Sequence, residues 1–105
     1  MGERTQGVTD GDIGETLAYL ADVIAERRRA DPAESYTARL LAGGEDTCLG
    51  KVIEEAAEVV MACKDADHDH IRYEMGDLLY HLLVVAERFD ITLAELAGEL
   101  DARRQ

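Results

Sequence analysis

The sequence predicts an all-α fold, a helical bundle completed by dimerisation, and three observations carry that prediction. Apolar residues recur three and four positions apart in the long segments, which is the spacing of one helix face. The chain has a single proline and runs of Ala, Leu, Val and Glu, which favour helix, and no segment reads as a strand. One segment is apolar nearly all round, so a second copy of the chain is expected to cover what 105 residues leave bare.

Residues 1–9 are polar, with Gly2 and Gly7, and are expected to form a flexible lead-in to one domain over residues 10–105. The first helix is expected from about Asp10 to Arg29, with Ile13, Leu17, Leu20 and Ile24 as its stripe. Arg27, Arg28 and Arg29 close it, where cations suit the negative end of the helix dipole. Asp31-Pro32 interrupts the pattern. Ser35 is positioned to cap a short helix, Tyr36 to Ala42, that Gly43-Gly44 ends.

The second long helix is expected from about Asp46 to Lys64. Leu49, Val52, Ile53, Ala56, Val59, Val60 and Cys63 form its broad apolar face. Asp65-Ala66-Asp67-His68-Asp69-His70 reads as a polar turn and cap region; its two histidines are two positions apart and would diverge on a helix. The third long helix, about His70 to Phe89, is the one that is apolar nearly all round after Asp77. Gly76 inside it costs about 1 kcal/mol against Ala, and close approach of a neighbouring backbone would explain it. Thr92 and Glu95 fit a capping box for a last helix carrying Leu93, Leu96 and Leu100.

The totals exclude several functions. A net charge of −12 argues against nucleic-acid binding, which rests on cations neutralising phosphates. Composition is 47% apolar and 32% charged, that of a globular chain and not a disordered one. No apolar run approaches the roughly 20 residues that span a bilayer. Met1-Gly2-Glu3-Arg4 lacks the apolar run of a signal peptide, so a cytoplasmic location is expected. Cys48 and Cys63 would lie about 22 Å apart on a continuous helix, too far for a disulfide.

Two acidic patches carry the chemistry. Glu54, Glu55 and Glu58 sit on the second long helix, and Glu74 and Asp77 on the third. Positions three or four apart share a helix face, so each patch aims carboxylates one way. A short turn makes the helices antiparallel neighbours, which brings the patches together. Asp77 also opens the most apolar stretch of the chain, where a merely solvating acid is out of place. Crowded carboxylates resist ionising unless a cation sits between them, and Mg2+ favours oxygen ligands. Such a cation would bridge nucleotide phosphates and offset charge as a phosphoanhydride breaks. Glu54, outside both pairs, is the candidate for orienting or deprotonating the attacking water. Lys51 reads either as a cation for phosphate or as an ion-pair partner of Glu54 or Glu55. Ser35, Tyr36 and Thr37 place three hydroxyls at a helix start, where amides favour anions, although a serine there is also an ordinary cap.

Glu54-Glu55-x-x-Glu58, fifteen residues, then Glu74-x-x-Asp77 resembles the MazG-like all-α nucleotide pyrophosphohydrolases. More narrowly, the chain is similar to the phosphoribosyl-ATP pyrophosphatases. Ser35-Tyr36-Thr37-Ala38-Arg39-Leu40-Leu41, Lys51-Val52-x-Glu54-Glu55-Ala56-x-Glu58-Val59-Val60 and Asp77-Leu78-Leu79-Tyr80-His81-Leu82-Leu83-Val84 carry that similarity, which covers about residues 12–103. The resemblance implies Mg2+-dependent hydrolysis of phosphoribosyl-ATP to phosphoribosyl-AMP and pyrophosphate, the second step of histidine biosynthesis, in a cytoplasmic homodimer or larger assembly. It implies Glu55, Glu58, Glu74 and Asp77 as metal ligands, with Glu54, Glu55 and Glu58 catalytic. It implies Ser35, Tyr36, Thr37, Lys51, Tyr80 and His81 as substrate contacts. The stretch before Lys51 is often basic in the family, yet here it reads Asp46-Thr47-Cys48-Leu49-Gly50, and Gly76 replaces a common Ala. The rival readings are a hydrolase of free or damaged nucleoside triphosphates, and a non-catalytic oligomerisation module.

Overall fold

The computed structural model describes residues 5 and 7–104; part of the expected lead-in, residues 1–4 and 6, lies outside them. The elements are α1 (Ile13–Glu26) followed by a 3-10 turn (Arg27–Arg29), α2 (Tyr36–Ala42), α3 (Glu45–Asp65), α4 (His68–Arg88) and α5 (Leu93–Ala102). Among the described residues there is no strand, and no helix is long and apolar enough to cross a membrane.

Side-chain caps start four of the five helices by satisfying amides that the first turn leaves free. Asp12 accepts from the Glu15 amide at 2.9 Å, so α1 begins at Ile13, three residues later than the periodicity suggested. Ser35 accepts from Ala38 at 3.1 Å and Asp67 from His70 at 3.2 Å. Thr92 and Glu95 form the expected capping box. Gly44 precedes α3, whose first turn carries Glu45 and Asp46 at the positive end of the dipole.

The α3–α4 connection is much tighter than the expected six-residue turn. Ala66 adopts a left-handed conformation, φ 56°, and its amide bonds the Cys63 carbonyl at 3.0 Å. Asp67 then caps α4 directly. Two residues therefore reverse the chain, and α3 and α4 pack antiparallel along their length. His68 and His70 lie in α4, not in a loop.

Ile24, Leu40, Cys48, Leu83 and Val84 form the apolar core where α1, α2, α3 and α4 meet. Leu17, Leu20 and Leu93 pack against it, but Ile13, expected in the same stripe, is 66% exposed. Arg28 binds Glu87 and ties the end of α1 to α4. The Arg88 guanidinium donates to the carbonyls of Leu40 and Leu41 at 3.0 and 3.2 Å, anchoring the C-terminal end of α2.

The broad apolar face expected on α3 turns inward only in part, with Leu49, Val52, Ala56 and Val59 half-buried. Its buried positions are Cys48, Glu55 and Ala62, each two turns from the last, whereas Ile53 is 73% exposed and Val60 and Met61 are also bare. On α4, Met75, Leu79, Leu82 and Phe89 are exposed, so α4 is not buried on most sides within one chain. A Cβ at Gly76 would meet nothing within 4 Å among the described residues. The close backbone approach expected there is therefore not made by the described residues.

Candidate active site

The face of α4 turned toward α3 carries titratable groups at helical spacing: His70, Glu74, Asp77 and His81. Glu55 meets them from α3. Oxygens of Glu55, Glu74 and Asp77 lie within 4.8 Å of one another, with the two glutamates buried and Asp77 partly so. Six oxygens around one Mg2+ stand about 3–4 Å apart, given its bond lengths of about 2.0–2.1 Å. Small side-chain rotations would close this group onto such an ion. The donor set suits it, being all hard oxygen and all carboxylate.

The remaining acids of the sequence pattern stand apart from that group. Glu58, one turn beyond Glu55, is partly exposed and lies outside the three-residue cluster, and Glu54 faces solvent. Asp77 opens onto a cleft of about 320 Å³ lined also by Thr5, Val8, Arg72, Tyr73 and Gly76. A larger groove, about 450 Å³, lies between α1, α4 and α5, away from the acids.

Two of the three clustered carboxylates have a cationic or imidazole neighbour. Lys51 Nζ sits 3.5 Å from Glu55 Oε1, so the i,i+4 ion pair does form. Burial works against the Lys51 charge, but Tyr36, Glu54 and Glu55 together outweigh it, holding the ammonium above its ordinary pKa. His70 Nε2 lies 3.1 Å from Glu74 Oε2. Sequence reasoning missed His70. A signal was present, because His70 precedes Glu74 by one helical turn and shares its face.

Tyr36, Thr37, Tyr80 and His81 form a polar joint between the start of α2 and α4. The Tyr36 hydroxyl and His81 Nε2 are 3.1 Å apart, and His81 Nδ1 is 2.9 Å from the Asp77 carbonyl. A carbonyl only accepts, so Nδ1 carries the hydrogen, and Nε2 of the neutral ring accepts from Tyr36. Burial foremost pushes the Tyr36 phenol up, which keeps that O–H in place. Thr37 Oγ1 bonds the Tyr80 hydroxyl. Ser35 is engaged in its cap. The joint fixes α2 beside the acids through the same helical turn that bears Asp77.

A family profile described as phosphoribosyl-ATP pyrophosphohydrolase matches residues 17–104. The phosphoribosyl-ATP pyrophosphatase of Nitrosomonas eutropha is 47% identical to this chain, over 83% of it and 74% of that protein. The Neisseria gonorrhoeae protein of the same name is 44% identical, over 84% of this chain and 82% of its own length. A histidine biosynthesis bifunctional protein from a Nostoc species is 44% identical across 97% of this chain and 47% of its own length.

Proposed function

The chain belongs to the phosphoribosyl-ATP pyrophosphohydrolase family, and on that premise we propose that it hydrolyses phosphoribosyl-ATP to phosphoribosyl-AMP and pyrophosphate, the second step of histidine biosynthesis. The observation that carries the assignment of the site is the meeting of Glu55, Glu74 and Asp77 between the two helices that bear the family pattern.

Glu55, Glu74 and Asp77 would hold Mg2+, with Glu58, one turn from Glu55, as a further ligand. Bound there, the ion would supply positive charge to the phosphate oxygens. Glu54, free of the cluster, orients the attacking water and takes its proton. Lys51 is close enough to serve both Glu55 and a substrate phosphate. Without these charges, a chain of net charge −12 would repel a polyanionic substrate. The Tyr36–His81 and Thr37–Tyr80 contacts keep the N-terminal end of α2, with Ser35, near Glu55 and Asp77, where its hydroxyls can meet a substrate held there.

The protein works in the cytoplasm as a homodimer. Exposed Ile53, Val60 and Met61 on α3 and Met75, Leu79 and Leu82 on α4 support a second copy packing there, since so many large apolar side chains left bare on two helices are what an interface would cover.

Pyrophosphate release with Mg2+ tests the reading, comparing phosphoribosyl-ATP with a panel of free nucleoside triphosphates. Preference for phosphoribosyl-ATP is expected, and faster turnover of free triphosphates would replace the proposal with a broad triphosphate hydrolase. Glu58→Gln, which keeps shape and removes charge, is expected to stop turnover with the fold intact. Near-normal turnover in that variant would remove Glu58 from the mechanism.

A further inference from the structure

We propose that His70 is a positioning residue for the site: its imidazole fixes which oxygen of Glu74 is turned toward Glu55 and Asp77. The inference rests on the metal reading given above.

His70 is 5% exposed and Glu74 1% exposed, so water has little access to their contact. The pair spans one helical turn, and Nε2 lies 3.1 Å from Oε2. A carboxylate that ligates a cation is ionised and accepts only, so on the metal reading Nε2 bears the hydrogen and donates it. Oε2 is thereby engaged, which leaves Oε1 without that bond; on this proposal Oε1 is the oxygen that a cation shared with Glu55 and Asp77 would take. Ligating carboxylates commonly need such an outer partner, which limits their rotation and stops them turning the wrong oxygen inward.

The other buried imidazole does not do this. His81 uses Nδ1 on the Asp77 backbone carbonyl and Nε2 on Tyr36, so it holds helices and touches no carboxylate of the cluster. Lys51 reaches Glu55 from a partly exposed position at 3.5 Å and can leave it for substrate. His70 has no such freedom. It is packed inside the hairpin, its backbone amide bonded to Asp67 and its ring to Glu74.

The test compares wild type, His70→Gln, His70→Leu and Glu74→Gln, with Mn2+ as the probe. Free Mn2+ is measured by electron paramagnetic resonance, and turnover and metal-free melting are measured in parallel. Gln can place an N–H where Nε2 lies, whereas Leu fills the space without a donor. His70→Leu is expected to weaken Mn2+ binding by about 10–100-fold, and His70→Gln to restore most of it. Equal weakening by Gln and Leu would reduce His70 to packing and overturn the inference. Wild-type affinity in His70→Leu would overturn it as well. Wild-type protein that binds no Mn2+, or Glu74→Gln that binds like wild type, overturns the metal reading and this inference together. If His70→Leu does not fold, long-range 1H–15N spectra of the wild type decide. Protonated Nε2 is expected, and a neutral ring with the hydrogen on Nδ1 would overturn the proposal.

Discussion

The interior of the α3–α4 hairpin is apolar at its open end and charged farther along. At the open end Cys48, Leu83 and Val84 pack with Ile24 and Leu40 from the neighbouring helices. Farther along, the same facing surfaces bury Glu55, Glu74 and His70, with Ala62 enclosed beyond Glu55 toward the turn. One pair of helices thus divides its labour along its length. The open end removes apolar area from water and holds the bundle together. The charged stretch buries carboxylates, which opposes folding unless a counter-charge or hydrogen bond offsets the lost hydration. Stability and the proposed chemistry are therefore assigned to different stretches of a single helix, α4.

Substitutions should separate them, and the largest effect is expected in the charged half. Asp77→Asn should lower turnover by about 100-fold or more, the scale of losing one preorganised electrostatic group, while the metal-free melting temperature stays level or rises. Steady-state pyrophosphate release and calorimetry check both halves of that statement. A large fall in metal-free stability would mean that the acids support the fold and would erase the contrast.

Next in size is the apolar half. Leu40→Ala should cost about 2–5 kcal/mol of unfolding free energy in denaturant titration, with turnover per folded molecule close to normal. Substituting the outer faces asks a different question. Leu79→Arg should leave the bundle folded and shift the protein from dimer to monomer in sedimentation velocity, because it places a charge in the surface proposed for the second copy. An unchanged sedimentation coefficient would remove that face from the interface.

Smaller effects refine the picture. Gly76→Ala should raise metal-free stability by up to about 1 kcal/mol, since a Cβ there meets nothing within 4 Å among the described residues. A loss instead of a gain, appearing only at concentrations where the protein is dimeric, would place the partner's backbone against Gly76. The smallest effect is pH-dependent. The folded-state pKa of Lys51 is raised, so its favourable contribution is fully present below the ordinary lysine value and lost only as pH climbs through the higher folded value. The stability difference between wild type and Lys51→Met should therefore be flat through neutral pH and shrink above about pH 10.5, the ordinary lysine range.

The helices are written in local residue chemistry. Ser35 before Tyr36–Ala42 and the Thr92–Glu95 box are local chemistry, and short polar side chains bond nearby amides whatever the rest of the chain does. The spacing of Glu55, Glu74 and Asp77 was legible for the same reason, because helical periodicity alone puts each acid on a predictable face. The α3–α4 turn was less legible, since Ala66 takes a left-handed conformation that alanine does not advertise.

Which face of each long helix lies inside depends on packing between helices and could not be read from the residues of that helix. Hydropathy favours burying Ile53, Val60, Met75 and Leu79, yet those are bare, while Glu55, Glu74 and His70 are enclosed. A helix rotates as a rigid unit, so its buried face is chosen by what the neighbouring helices supply. Here Ile24 and Leu40 fix that rotation through Cys48 and Val84 at one end of the hairpin. The acids follow because they lie on the same faces, and the outward apolar stripe is left for a surface that a single chain does not contain.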